Sequence, residues 1–412
     1  MEKKRKSTNS KAIEVIAKKM AGLHLSKSDI SVLINSILSA SISEHEIAQF
    51  LISVQKYGMS FNEIFWLTDA MTHTGEIMTW GNKIVGDKHC IGGIAGNRTS
   101  PIVVAICAAA GIIMPKTSSR SITSAAGTAD TVETVAKVDF SPKDIHRIVD
   151  KAGACLVWGG SLGLVPLDDM MIRIERDLHL NPVPQLLASI FSKKLSAGST
   201  HILIDIPYGP SAKVTKSKAL NLKKYFLLLG KAFKRNVRVV LTDGSQPIGN
   251  GIGPVLEMFD VLRVLRRENS PQDLEKKSIM LAGQLLEITG KAKPGKGERY
   301  ALDLLDSRLA LAAFDRIIEA QGKKEPVLHK VFSYNLFASR SGKIKQIDNK
   351  QINDLAKELG CPFQKSSGIY LHKHVGDKVT KNEPIMTLYS ESHVNLQKGK
   401  SFLGKNNPFI IS

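Results

Sequence analysis

Cysteine is scarce in this chain, with four thiols in 412 residues. Cys90, Cys107, Cys155 and Cys361 lie far apart and form neither a CxxC nor a Cys/His ligand pattern. That spacing argues against a zinc module and fits reduced thiols in a cytoplasm. Aromatics make up only 6% of the chain, and no basic stretch is interleaved with them, which weakens a single-stranded nucleic-acid reading. No uninterrupted apolar run is long enough for a membrane span. The basic start Met1-Glu-Lys-Lys-Arg-Lys6 has no signal-peptide core after it and reads as an unstructured tail. Acid is also in short supply: 38 Asp and Glu face 57 Lys and Arg, a net charge of +19. Many of those lysines are scattered, so a solvated surface and an anionic small substrate explain the excess better than nucleic acid does.

What the chain does have is Gly, Ser and Thr concentrated in two polar loops, Asp87 to Ser100 and Thr117 to Asp130. In the first, Gly92, Gly93 and Gly96 permit backbone turns that bring N–H groups close to an anion. The run Pro101-Ile-Val-Val-Ala-Ile-Cys-Ala-Ala-Ala110 predicts a buried helix whose N-terminus faces that loop and adds partial positive charge. Lys88 and Arg98 supply full charges, and Thr99 and Ser100 supply hydroxyls. In the second loop, Ser118, Ser119, Ser121, Thr123, Ser124 and Thr128 surround Arg120, a pattern that suits an oxyanion or sugar phosphate. Taken singly, the first loop also reads as a Gly-rich turn entering a helix, and hydroxyls in the second also read as caps and turn formers. Neither loop has Walker or Gly-x-Gly-x-x-Gly spacing.

From about Ser10 to Thr79 the apolar spacing predicts helices. Ile84-Val-Gly86, Ala154-Cys-Leu-Val-Trp158, His201-Ile-Leu-Ile-Asp-Ile206 and Val237-Arg-Val-Val-Leu-Thr-Asp243 predict short buried strands, with helical stretches such as Lys218 to Phe233 between them. This alternation points to an α/β sheet. Gly244 to Gly253, after a strand end, reads equally as a nucleotide-binding loop or as a structural turn before a helix beginning at Pro254. After about Glu325 the character becomes β-rich, over Val327 to Ser341 and Gly368 to Ser390, and resembles a barrel-sandwich half without a biotin or lipoyl attachment lysine. His372 and His374 could share a strand face, but without further ligands they read as surface histidines, and no metal is expected.

Three ordered motifs carry a family resemblance: Lys88-His-Cys-Ile-Gly-Gly93, Ser119-Arg-Ser-Ile-Thr-Ser124 with Gly127-Thr-Ala-Asp130, and Leu187-Ala-Ser-Ile-Phe-Ser-Lys-Lys-Leu195. With them the chain resembles the thymidine/pyrimidine-nucleoside phosphorylase family over nearly its whole length. It is most similar to the second branch, which holds archaeal AMP phosphorylases and bacterial proteins described as thymidine phosphorylases. The resemblance implies an α/β multidomain fold: a helical domain and an α/β domain with a central sheet across a cleft, plus a C-terminal α+β domain of barrel-sandwich type. Residues 1–80, completed by about 167–195, would form the helical domain. Residues 81–166 and 196–324 would form the α/β domain, and 325–412 the C-terminal one. A cytoplasmic homodimer is expected, with no cofactor, inorganic phosphate as co-substrate, and neither nucleic acid nor membrane as partner.

Carried over by position, the resemblance gives Lys88, Gly92, Gly93, Ser100 and Thr128 to phosphate, and Lys88, His89 and Lys193 to catalysis and base recognition. Arg173 or Arg176 would replace the family's base-binding arginine, whose spacing is not reproduced. The AMP phosphorylase pattern gives substrate contacts to Gly93, Ser119, Arg120, Ser121, Ile122, Thr123, Ser124, Thr128, Asn181, Ser189 and Lys213. Two departures stand out. Cys90 replaces the usual serine of thymidine phosphorylases, and Asn181 occupies the position of the proton-donating Asp of AMP phosphorylases, where an amide cannot act as a general acid. The archaeal nucleotide enzymes also carry a further N-terminal domain, whereas this chain begins at the helical part. Phosphorolysis of thymidine to thymine and 2-deoxy-α-D-ribose 1-phosphate is the leading expectation. A nucleoside 5′-monophosphate phosphorylase of AMP type and a catalytically weak nucleotide-binding protein are the alternatives.

Overall fold

The computed structural model describes residues 2–121, 124–326 and 329–412. Ile122, Thr123, Val327 and Leu328 lie outside the described residues, and with them two of the expected substrate contacts. The chain forms two compact units. One contains Met1–Asn82, Gly159–Thr200 and Asn221–Val237; the other contains Lys83–Trp158, His201–Leu220 and Arg238–Ser412.

The first unit is helical. Its helices Lys27–Leu38, Glu44–Tyr57 and Phe61–Thr72 each start at a serine whose side chain accepts from the backbone three residues on, while the acid there, Asp29, Glu46 or Glu63, reaches back. These capping boxes satisfy helix N–H groups that would otherwise be orphaned. Apolar residues at helical spacing, among them Ile30, Leu33, Ile37, Phe50, Leu51 and Leu67, are buried. The later helix Val183–Ser196 packs on Phe61–Thr72. Inside this unit Lys19 Nζ lies 2.9 Å from the buried Glu63 carboxylate. The unstructured start expected from composition is instead helix, which runs Glu2–Met20, since Lys, Arg and Glu are good helix formers.

The second unit is built on parallel strands. Gly86–Cys90 and Asn236–Asp243 flank His201–Tyr208, and Met114–Ser118 pairs in parallel with Ala154–Trp158. A parallel bridge from Val85 to Ile113 links the two sets. Strands buried on both faces read as apolar runs, which is why His201–Tyr208 and Ala154–Trp158 were visible in sequence. The polar segment Asp87-Lys-His-Cys90, expected to be loop, is strand instead: Gly86–Cys90 pairs with His201 to Asp205, Cys90 lying opposite Asp205. Thr117 and Ser118 likewise end a strand rather than open a loop. Helix Thr99–Ala109 follows the first loop, almost wholly buried in the core with Ile102 to Cys107.

The remainder of this unit is α+β. Gly251–Ile252, Gly368–Leu371, Pro384–Ser390 and Phe332–Phe337 form one antiparallel sheet in that order; Lys378–Val379, Gly342–Ile347 and Phe409–Ile411 form another. Helices Asn349–Glu358 and His393–Lys405 complete it. The chain therefore comprises a helical domain, an α/β domain with a central sheet, and a C-terminal domain with antiparallel sheets.

Candidate functional site

Lys88 is fully buried on its strand, and its Nζ donates to Thr99 Oγ1 at 2.7 Å and Ser100 Oγ at 3.4 Å. Burial pushes the ammonium below its ordinary value. The Asp205 carboxylate opposes that shift, while Lys277 and Arg98 reinforce it. Asp205 is tied elsewhere, accepting from Thr242 Oγ1 at 2.6 Å and lying 3.2 Å from Lys277 Nζ. Lys88 thus directs its hydrogen bonds to hydroxyls at the start of helix Thr99–Ala109, whose N-cap Arg98 makes no side-chain cap bond. An anion arriving there would meet a cation, two hydroxyls and a helix N-terminus. Gly92 and Gly93, with φ of 86° and 91°, turn the backbone beside it. Only glycine adopts both angles without strain, and at Gly93 a Cβ would lie 2.8 Å from Lys213 Cβ, so the loop and Lys213 are pressed together. His89 and Cys90 are half-buried at the strand end. Burial and Asp205 push the Cys90 thiol up, keeping it neutral, and Asn97 Nδ2 donates to its sulfur at 3.4 Å.

Arg98 joins the two loops. Its Nε donates to Glu257 Oε2 at 2.6 Å, its Nη1 to Thr128 Oγ1 at 2.8 Å and its Nη2 to the carbonyl of Ala126 at 2.8 Å. Of the residues expected to bind phosphate, Lys88 is bonded to Ser100, and Arg98, next to Thr99 in the chain, is bonded to Thr128.

The second loop differs from the sequence expectation. The Arg120 guanidinium donates to Glu133 through both terminal nitrogens at 2.8 Å, to Asp130 at 3.2 Å, and stacks 4.7 Å from the Trp158 ring. The hydrogen bond to Glu133 pushes the arginine up and holds that carboxyl at about 2. The charge expected to seek an oxyanion is already matched by Asp130 at the end of the loop and by Glu133 just beyond it. Several of the hydroxyls also serve the backbone: Ser118 donates to Val157 O, Ser121 to Ser124 O and Ser124 to Ala126 O. Asp130 organises the loop further by accepting from the N–H groups of Ser121 and Gly127. Ser119 is exposed, and its carbonyl accepts from Ala129 N–H.

The Gly244 to Gly253 segment resolves toward the structural turn. The N–H groups of Asn250 and Gly251 both donate to Asp260 at 2.7 Å, Gly249 N–H to Asp273, and Gly253 N–H to Glu257. His372 and His374 hydrogen bond to Thr387 and Asn250 respectively. Among the described residues no group of three or more His, Cys, Asp or Glu could hold a metal ion, and no helix is long and apolar enough to cross a membrane.

In the helical unit, Ser189 and Lys193 lie one turn apart on Val183–Ser196, and Lys193 Nζ is 2.5 Å from the buried Asp168 carboxylate. Burial would lower the Lys193 ammonium, but Asp168, Asp169 and Glu175 together raise the value. Asn181 is exposed, its N–H donating to Gln55 Oε1 at 2.8 Å. Arg173 pairs with Glu44 and Arg176 lies near Asp177, both arginines exposed. Lys88, His89, the glycines, Ser100, the second loop, Thr128 and Lys213 thus belong to one unit, and Asn181, Ser189 and Lys193 to the other.

Sequence reasoning missed Asp205, Thr242, Lys277, Glu257 and Asp168. Asp205 left a signal, a lone acid within the apolar strand His201-Ile-Leu-Ile-Asp-Ile206. Asp168 and Glu257 left none of their own, because an acid in the first turn of a helix is what helix electrostatics already favour.

Family models match three stretches: the glycosyl transferase family helical bundle domain at residues 13–75, the glycosyl transferase family a/b domain at 82–310, and the pyrimidine nucleoside phosphorylase C-terminal domain at 343–406. The chain is 44% identical over 402 residues to "Putative thymidine phosphorylase" of Legionella pneumophila (strain Paris), covering 97% of this chain and 78% of that protein. It is 42% identical to "Putative thymidine phosphorylase 1" of Cupriavidus necator, covering 97% and 77%. To the "Putative thymidine phosphorylase" of Rhodopseudomonas palustris it is 46% identical, covering 92% and 74%. In fold it resembles the crystal structure of anthranilate phosphoribosyltransferase from Thermus thermophilus, with a TM-score of 0.62 at 16% identity, covering 74% of this chain and 99% of that one.

Proposed function

Because the chain belongs to the pyrimidine nucleoside phosphorylase family, we propose that it cleaves thymidine with inorganic phosphate to give thymine and 2-deoxy-α-D-ribose 1-phosphate. A phosphate oxygen forms the new bond at C1′ as the C1′–N1 bond breaks, and the electron pair of that bond leaves with the base, which then takes a proton. No covalent enzyme intermediate and no cofactor is needed. Orientation and electrostatics carry the rate, which suits cations and oriented hydroxyls.

The observation that carries this reading is the buried Lys88, hydrogen bonded to Thr99 and Ser100 at a helix N-terminus rather than to a carboxylate. Phosphate would supply the anion that this ammonium lacks as a direct partner. Ser189 and Lys193 would serve the base, with Lys193 held cationic by Asp168 as a partner for the negative charge that develops on the departing pyrimidine. The Cys90 thiol, kept neutral, adds no negative charge beside phosphate.

A second reading, a nucleoside 5′-monophosphate phosphorylase, is favoured by one observation, the packing of Lys213 directly against Gly93. One experiment addresses both. Purified protein is incubated with phosphate and each of thymidine, deoxyuridine, uridine, AMP, CMP and UMP, and free base is followed. Phosphate-dependent release of thymine is the expected result. Faster release from the monophosphates would replace this reading with the second, and no release from any of the six would defeat both.

A further inference from the structure

Helix Asn349–Glu358 of the C-terminal domain presents two buried asparagines one turn apart, and each is bonded to a different one of the two polar loops. Asn349 Oδ1 accepts from Ala95 N–H at 3.1 Å, within the Gly92 to Gly96 turn. Its Nδ2 donates to Ser211 Oγ at 3.2 Å and to the carbonyl of Gly244 at 3.1 Å, while its own N–H donates to Ser211 Oγ at 3.1 Å. Asn353 Oδ1 accepts from Ala125 N–H at 2.9 Å, in the second loop just before Thr128. Neither side chain has room to act as a solvated surface amide, for they are 0% and 3% exposed.

We propose that Asn349 and Asn353 are positioning residues for phosphate: from a helix outside the α/β domain, they fix the Gly92–Gly96 turn and the segment leading into Thr128 at the spacing that a bound phosphate needs. This rests on the phosphorolysis reading above. Three geometric facts carry it. The two asparagines stand at i and i+4, so one helix face sets the distance between the two loops. Asn349 grips the first loop from two sides, through Ala95 in the loop itself and through Ser211 in the turn that brings Lys213 against Gly93. Both donors are backbone N–H groups of buried alanines, so nothing in either alanine side chain can replace the lost acceptor. The link across the loops made by Arg98 to Thr128 and Ala126 is thereby supported at both ends.

The chemistry of the bonds gives a pattern that simple loss of stability would not produce. At Asn353 the bond to the loop needs only an acceptor, so Asn353→Asp keeps it and Asn353→Leu removes it. At Asn349 both an acceptor and a donor are used, so Asn349→Asp keeps Ala95 but loses Ser211 and Gly244. The full-length chain and these three variants are compared by phosphate KM against thymidine KM, by calorimetric titration with inorganic phosphate alone, and by amide hydrogen exchange over the segments containing Ala95 and Ala125. The expected result is a rise of about tenfold in phosphate KM and Kd for Asn353→Leu with thymidine KM unchanged. Asn353→Asp should lie near the parent, Asn349→Asp should be impaired, and exchange should quicken at the loop each variant releases. Equal behaviour of Asn353→Asp and Asn353→Leu, or unchanged phosphate affinity and loop exchange in both Asn353→Leu and Asn349→Asp, would overturn the proposal. A parent protein that binds phosphate yet releases no base would defeat the phosphorolysis reading while the titration and exchange still decide this one. A parent that binds no phosphate overturns this one.

Discussion

The two polar loops look alike in sequence and use their cations in opposite ways. In the first, Lys88 is buried with hydroxyls as its hydrogen-bond partners; in the second, Arg120 is paired with Glu133 and Asp130 and stacked on Trp158. A cation bonded to hydroxyls still has its charge to offer, whereas one bonded to carboxylates holds structure together. Arg98 stands between the cases, matched by Glu257 yet spending its other donors on the second loop. Residue type alone therefore does not assign a basic side chain to ligand or to framework; its partner does.

Replacing Lys88 tests that distinction most severely. Lys88→Met is expected to lower thymidine phosphorolysis on the order of 10³-fold while leaving the urea midpoint level or raised, because an apolar chain of similar volume replaces a buried charge. A variant that unfolds but keeps its rate when folded would reverse the comparison. Glu257→Gln should do the opposite, leaving the buried Arg98 guanidinium without its carboxylate at a cost of about 3–5 kcal/mol, read from urea unfolding. Asp168→Asn in the helical unit offers a third variant, since Lys193 is both paired and proposed to meet substrate. With the carboxylate gone, burial dominates and the Lys193 ammonium loses its proton at lower pH, so the alkaline limb of the kcat/KM profile should move to lower pH and activity at neutral pH should fall about tenfold. An unmoved alkaline limb would remove Lys193 from the reaction.

The smallest effect is expected at Arg120. Glu133→Gln should change kcat/KM less than about twofold and stability at neutral pH by less than about 1 kcal/mol, as the pair is partly solvated. Its trace is in the pH dependence. The Arg120 hydrogen bond holds the Glu133 carboxyl at about 2 against an ordinary 4.5. The folded value is depressed, so the pair's contribution is complete above about 4.5 and is lost as pH falls toward about 2. Acid unfolding followed by circular dichroism should be shallower across that window in the variant; an unchanged slope would show that Arg120 and Glu133 are not paired in solution.

The helical domain, the parallel strands and the helix after the first loop were legible because each repeats an apolar period: 3.6 residues for the helices, and continuous apolar runs for His201–Tyr208 and Ala154–Trp158. Gly86–Cys90 was not, because its Asp87 and Lys88 are charged residues buried in a parallel sheet, against the rule that made its neighbours visible. The positions of Gly92, Gly93 and Ser100 beside Lys88 followed from their closeness in sequence. Of the carboxylates that occupy Arg120, Asp130 ends that loop in the first turn of helix Thr128–Val132, where helix starts normally take acids, and Glu133 caps the far end of the same short helix, so nothing marked either as its partner. Asn349 and Asn353 were beyond reach for a different reason: their bonds to Ala95 and Ala125 join residues far apart along the chain, and an amide in a helix carries no sign of a distant acceptor role.

Gly251–Ile252 is the outer strand of the C-terminal sheet, its register placing Gly251 opposite Tyr370. That sheet cannot be finished from its own stretch of chain. During synthesis its borrowed strand emerges long before its neighbours and must wait for them, a closure between residues far apart in the chain of the kind that slows folding. An excised C-terminal fragment would carry an unpaired strand edge, prone to self-association, and adding back the preceding segment should quench that tendency by occupying the edge.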